Sequence, residues 1–203
     1  MKPLSLPLAV ARLCCACCLA PAALAAPFAV QVKGSDGAPL ADAVVAVELR
    51  GQGGRAAPGT RAEMAQRERQ FQPFVLVVQT GTAVSFPNFD TVRHHVYSFS
   101  PVKTFDIKLY SGTPAEPILF DKPGVATLGC NIHDKMSAHI VVVDTPLFAK
   151  TDAQGIARLE LPAGEHQLRA WHPAVGRPVM LGLRIAVPAA GGQHSVSLET
   201  AGS

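Results

Sequence analysis

The middle of the chain alternates. His95–Ser100 (HVYSFS) and Thr104–Tyr110 (TFDIKLY) carry an aromatic or aliphatic residue at every second position, and Ala83–Phe86 (AVSF) does so over a shorter span. A period of two sends successive side chains to opposite faces, so these stretches are predicted as half-buried β-strands. Phe74–Val78 (FVLVV) and Ala138–Asp144 (AHIVVVD) are apolar, β-branched runs, and ILF and GVATLG are shorter strands. The segments QTGT, PNFD and SGTPAEP separate them with turn formers. Short strands at roughly ten-residue spacing, with Gly, Pro, Asn and Asp between them, predict an antiparallel sandwich. Only Arg61–Arg69 (RAEMAQRER) hints at a helical period, and it reads equally as an exposed linker.

The flanking regions differ in character. Val30–Gly51 (VQVKGSDGAPLADAVVAVELRG) is a strand, a Gly/Asp turn and a second strand, and Thr151–Pro173 (TDAQGIARLELPAGEHQLRAWHP) is another such pair. Asp36-Gly37-Ala38-Pro39-Leu40 with Ala43–Val47, and then Thr151-Asp152, Gly155, Leu159, Leu161-Pro162, Gly164 and Leu168, resemble the two halves of one carboxypeptidase-regulatory-like, or transthyretin-like, β-sandwich. His166 stands where that family usually has tyrosine. About a hundred residues separate the halves. The resemblance implies a discontinuous sandwich, residues 27–55 plus 150–203, with residues 61–148 inserted at one of its loops. Closure entropy grows slowly with loop length, so such an insertion costs little when its ends lie close together.

Composition changes the picture at the N-terminus. Residues 1–25 join Lys2 and Arg12 to an apolar run and end in Ala23-Leu24-Ala25, which reads as a secretory signal peptide cut after Ala25 or Ala26. The run from 13 to 26 is shorter than the roughly 20 residues of a membrane span and contains Pro21. Removing Lys2 and Arg12 takes the net charge from +3 to +1, with no basic stripe for nucleic acid. No other long apolar segment follows, so the expected product is periplasmic or exported, without a membrane span. Cys14, Cys15, Cys17 and Cys18 leave with the leader, and Cys130 becomes the only thiol. In an oxidising compartment it has no disulfide partner within the chain.

That thiol belongs to Gly129–Met136 (GCNIHDKM), where Cys130, His133 and Met136 recur at intervals of three. One cysteine thiolate, two imidazoles and a weak axial methionine make a blue-copper site, which holds Cu(I) and Cu(II) with little rearrangement. The strand GVATLGC leads into the cysteine, and the adjacent His94 and His95 lie upstream as candidates for the remaining imidazole. Alternation puts His94 with Val96 on one face and His95 with Tyr97 on the other. Zinc is disfavoured because a structural site prefers four Cys or His ligands. A binuclear copper centre needs a second cysteine.

Phe71 and Pro73, Val78, Gly81-Thr82, Val84, Phe86, Asn88, Asp90, His94 and Val96, followed by Cys130, His133 and Met136, resemble the plastocyanin-like cupredoxin family. The short ligand spacing is most similar to amicyanin, and the segment also looks like a secreted group called methylamine-utilisation proteins. The resemblance implies an all-β fold, a Greek-key cupredoxin sandwich inserted into the second small β-sandwich. It also implies one type-1 copper per chain held by His94, Cys130, His133 and Met136, electron transfer to a protein redox partner, and no enzymatic turnover. His95 takes the position of the family's asparagine and is expected to tie the ligand loops together; Asn88 is the other expected supporting residue. Asp134 and Lys135 depart from the family's usual proline and apolar neighbours, which makes the expected docking patch polar and salt-sensitive, and Leu128 stands where an aromatic is common. Met64 is a weaker axial candidate, and His139, His166, His172 and His194 are expected to be surface or host-sandwich positions. The competing reading is a non-redox copper store or delivery module whose host sandwich binds a surface.

Overall fold

In the computed structural model, residues 25–49, 53–114 and 116–201 are described, so all of the expected leader before Ala25 lies outside the described residues. The first two strands are β1 (Ala25–Lys33) and β2 (Val44–Glu48). Ten follow in the central segment. These are β3 (Arg61–Glu63), β4 (Ala65–Arg67), β5 (Gln70–Gln72), β6 (Val75–Gln79), β7 (Thr82–Ser85), β8 (His94–Ser100), β9 (Lys103–Tyr110), β10 (Ile118–Phe120), β11 (Gly124–Cys130) and β12 (Ser137–Val143). The last five are β13 (Phe148–Lys150), β14 (Ile156–Pro162), β15 (Gly164–Trp171), β16 (Leu181–Val187) and β17 (Gly192–Ser197). The fold is all-β; among the described residues the only helical turn is a 3-10 turn at Pro173–Val175.

The terminal strands pair among themselves. One sheet runs β14-β1-β17 and the other β13-β2-β15-β16. Between them lies a core that includes Val30, Val32, Val45, Val47, Leu161, Leu168 and Ile185. The central strands form a five-stranded sheet, β6-β12-β11-β8-β9, a three-stranded sheet, β10-β7-β3, and the hairpin β4–β5. Phe71, Phe86, Val96, Phe120, Leu128 and Ile140 fill the core between these. The chain leaves the first pair of sheets near Glu48 and returns close by. The Gly54 N–H donates to the Asp144 carbonyl at 2.6 Å, and the Thr145 hydroxyl donates to the Val47 carbonyl at 2.7 Å.

Arg61–Arg69 departs from the expected helix or exposed linker. It forms β3 and β4, with Ala62 opposite Val84 in parallel register and Met64, Ala65 and Gln66 buried. Extended backbone there satisfies the N–H and C=O groups along β7, and three-residue strands are too short to show a period in the sequence.

A third apolar cluster joins the two halves. Val44, Ala46 and Trp171 from the terminal strands pack with Val75, Val125, Val141 and Val143 from the central sheet. β2 is consequently buried on both faces, Val45 and Val47 inward and Val44 and Ala46 toward the central sheet. β12 behaves alike, with Ile140 and Val142 on one side and Val141 and Val143 on the other. A strand covered on both faces is apolar at every position, which accounts for the unbroken runs AVVAV and IVVV.

His139 is no surface residue. It packs between Phe74 (ring centroids 5.5 Å apart) and Trp171 (5.0 Å), at the edge of this seam. His172 lies nearby, its Nε2 donating to the Ala41 carbonyl at 3.1 Å while its Nδ1 accepts from the Ala174 N–H. Burial pushes both imidazole pKa values down from 6.5, and for His139 the neighbouring His172 adds to the shift. A depressed folded-state pKa means that the unfolded chain takes up protons first. The seam is therefore fully stable above about pH 6.5 and loses stability as the pH falls below it. Thermal melts between pH 7.5 and 5 should show Tm falling with pH, and His139→Gln should flatten that slope. An unchanged slope in the variant would assign the effect to other groups.

Candidate metal centre

Cys130 ends β11, and the chain then makes two consecutive turns. The His133 N–H donates to the Cys130 carbonyl (3.4 Å) and the Met136 N–H to the His133 carbonyl (2.9 Å). The Cys130 N–H closes the loop on the Met136 carbonyl at 3.2 Å. Each turn spans four residues, so a spacing of three places Cys130, His133 and Met136 at successive corners of one loop. β11 pairs with β8, Cys130 opposite Val96 and Gly129 opposite Tyr97, which brings His94 alongside the thiol.

The donors converge. Cys130 Sγ lies 3.8 Å from His94 Nδ1 and 3.6 Å from His133 Nδ1, and the three ligand atoms are all within 4.8 Å of one another. Metal bonds of about 2.0–2.3 Å from a common centre in a trigonal plane would put neighbouring donors roughly 3.5–3.8 Å apart. The two sulfur–nitrogen distances match that range. His94 is 0% exposed and Cys130 5%, while His133 is partly open to solvent. Met136 is buried in the same apolar core. Met64 is also buried there.

Asp90, given no role from the sequence, contacts His94 directly. Its Oδ2 lies 2.7 Å from His94 Nε2, and its two oxygens accept the Glu68 N–H (2.7 Å) and the Arg69 N–H (2.9 Å). Burial works against the charged carboxylate. The Arg69 N–H, the His94 ring and the Glu68 N–H outweigh it and hold the pKa below 3.8. An ionised carboxylate only accepts, so this contact favours a proton on His94 Nε2. The one available sequence signal was the Asn-x-Asp turn four residues ahead of the histidine.

Glu68 and Arg69 form the two-residue turn of the β4–β5 hairpin, with φ of 54° and 57°. Such turns need left-handed backbone at both positions and are usually built from Asn and Gly. Holding two side-chain-bearing residues there costs about 1–2 kcal/mol each. The same hairpin is stitched to the loop before His94. The Gln66 N–H donates to the Pro87 carbonyl, the Phe89 N–H donates to the Gln66 carbonyl, and the Arg67 guanidinium lies 3.7 Å from the Phe89 ring centroid.

The other expected supporting residues divide. Asn88 braces the loop: its Nδ2 donates to the Val92 carbonyl (2.9 Å) and the Tyr110 carbonyl (3.1 Å), and its Oδ1 accepts the Asp90 N–H (2.9 Å). His95 does not tie the ligand loops. It points to the opposite face of β8 and pairs with Asp106 on β9, because successive strand residues face opposite ways. Beneath the loop, the Tyr110 hydroxyl donates to the Phe86 carbonyl at 2.6 Å, and Gln66 Nε2 donates to the Tyr110 hydroxyl and the Phe86 carbonyl. Burial, and then the charge of Cys130, push the Tyr110 pKa up to about 12, with Gln66 working the other way. Gln66 and Tyr110 carried no sequence signal because their role depends on strands that are distant in the chain. Asp134 and Lys135 are exposed beside the cluster, as is Ile132, at 47%.

No family model and no curated protein matches the chain. Solved structures do. A purple cupredoxin from Nitrosopumilus maritimus is 18% identical with a TM-score of 0.36, over 41% of this chain and 98% of its own. A reduced amicyanin mutant is 14% identical with a TM-score of 0.38, over 48% and 97%. A copper-containing nitrite reductase from Thermus scotoductus SA-01 is 26% identical with a TM-score of 0.38, over 44% of this chain but only 23% of the enzyme. Each of these likenesses covers less than half of this chain.

Replacing Asn88 by Ala removes three hydrogen bonds and leaves the Tyr110 carbonyl without that donor. A loss of about 1–3 kcal/mol in urea unfolding is expected. A change below about 0.5 kcal/mol would mean that water replaces the amide there.

Proposed function

We propose that the protein is a periplasmic type-1 copper electron carrier, exported by its N-terminal leader, with one copper per chain. The reading rests on one observation above the rest: a buried thiol with two imidazole Nδ1 atoms 3.6 and 3.8 Å from it, the sulfur–nitrogen spacing expected in a trigonal copper plane. Copper bound there would supply a one-electron Cu(I)/Cu(II) couple. The thiolate of Cys130 and the imidazoles of His94 and His133 are the strong donors, and Met136 is the axial one. Closed turns and paired strands hold these side chains, so few atoms need move when the charge changes, and a small rearrangement makes electron transfer fast.

Only His133 of the three reaches solvent, so it is the natural point of exit for an electron. Ile132, Asp134 and Lys135 surround it with one apolar and two charged side chains. A protein redox partner meeting that surface would bind with salt-sensitive kinetics. No substrate is transformed, since four protein donors leave no open position. Among the described residues, no helix is long and apolar enough to cross a membrane. Residues 61–148 act as the redox unit, inserted into a sandwich of residues 27–55 and 150–203.

Adding Cu(II) to the purified protein should produce an intense thiolate-to-copper band at roughly 600 nm. Cys130→Ala should abolish it. Absence of the band in the unaltered protein would sink the reading. Storage or delivery is separated by electrochemistry: a reversible couple with fast self-exchange supports the carrier, whereas tight Cu(I) binding without a stable Cu(II) form supports the store. Met136→Leu should keep the band and raise the reduction potential, because removing the axial thioether weakens Cu(II) coordination more than Cu(I). An unchanged potential would remove Met136 from the donor set.

A further inference from the structure

We propose that Asp90, held by the strained β4–β5 turn, is the positioning residue that selects the tautomer of His94 and sets the donor strength of its Nδ1. The functional meaning rests on the copper reading; the tautomer itself does not.

His94 is fully buried, so neither ring nitrogen has water to fall back on. Nε2–H donates to Asp90 at 2.7 Å. Nδ1 lies 3.8 Å from Cys130 Sγ, within reach of a sulfur hydrogen bond, and on the side of the ring that meets His133. With the proton held on Nε2 by Asp90, the Nδ1 lone pair faces the thiol and His133. The opposite tautomer would set two acceptors, Nε2 and a carboxylate oxygen, against each other at that short distance, and would turn N–H into the cluster.

Asp90 is itself fixed from outside. Two consecutive backbone N–H groups, Glu68 and Arg69, point into its carboxylate because both residues are left-handed. Such paired N–H groups form a small anion-binding nest. Its own N–H is held by Asn88 Oδ1. The carboxylate cannot rotate away from the ring without abandoning three donors. This explains why a hairpin turn of Glu and Arg, residues poorly suited to positive φ, lies over the loop before His94. A backbone carbonyl in place of Asp90 would orient the ring equally well but would carry no full charge. The carboxylate adds electron density to the imidazole and favours the more highly charged Cu(II), an effect known for carboxylate–histidine–metal arrangements.

The test uses the full mature chain. In the metal-free protein, nitrogen chemical shifts of His94, read at a fixed pH where the ring is neutral, should report the Nε2–H tautomer. Asp90→Asn keeps the side-chain size and removes the charge. It should populate the Nδ1–H form, weaken Cu(II) binding about 10–100-fold, change Cu(I) binding less and so raise the reduction potential. A merely structural role would lower stability without moving the tautomer or the potential. An Nδ1–H tautomer in the unaltered protein overturns the proposal, and so do an unchanged tautomer and potential in a folded Asp90→Asn variant. Should that variant not fold, the shifts of the unaltered protein decide. If copper gives no blue band at all, the electron-carrier reading fails while the tautomer measurement still decides the role of Asp90.

Discussion

The backbone pairing of β11 with β8 is the contact on which the rest of the site depends. Cys130 and His94 are 36 residues apart, and the ladder that places Cys130 opposite Val96 brings their side chains together on the inner face. Gly129 leaves room for Tyr97 beside the same pair: a Cβ there would lie 2.7 Å from the Tyr97 ring. β12 on the other edge of β11 closes the loop that carries His133 and Met136. Two strands thus deliver His94 and Cys130, and the two turns of the loop between β11 and β12 place His133 and Met136.

Around that frame the charges are arranged in layers. His94 is buried, Asp90 lies nearer the surface, and backbone N–H groups from a separate hairpin hydrogen-bond Asp90 without adding a cation. An arginine in that role would place a positive charge beside a centre meant to hold a cation. Amide dipoles give the same hydrogen bonds with no net charge. The cost is carried by the left-handed turn at Glu68 and Arg69, outside the core and away from the donors.

The two halves of the chain meet mainly across valines, Ala46 and Trp171. Apolar packing of this kind resists relative motion and excludes water from the back of the sheet that bears Cys130. Arg169 on β15 adds a link at the edge by contacting both Glu48 and Asp144, the residues at which the chain leaves the terminal sheets and leaves the central one. The terminal sandwich acts as a rigid backing for the five-stranded sheet, with His139 and His172 making the seam sensitive to acid.

The sequence by itself determined which residues could be chemistry and which strands would carry them. Alternation and turn residues are local, so the strands of the central segment and the triple Cys130, His133, Met136 were legible, as was the separation of His94 from His95 by face. The two unbroken apolar runs already held the information that β2 and β12 are covered on both sides. What only the tertiary structure decided were the contacts that join distant segments: Asp90 with a hairpin turn twenty residues earlier, Gln66 with Tyr110, His139 with Trp171, and His95 turned outward onto Asp106. A short strand such as β4 has no period to read, and a carboxylate in a turn looks the same whether it faces water or a buried imidazole. Those roles depend on which backbone arrives next to them, and that is set by sheet pairing across the whole chain.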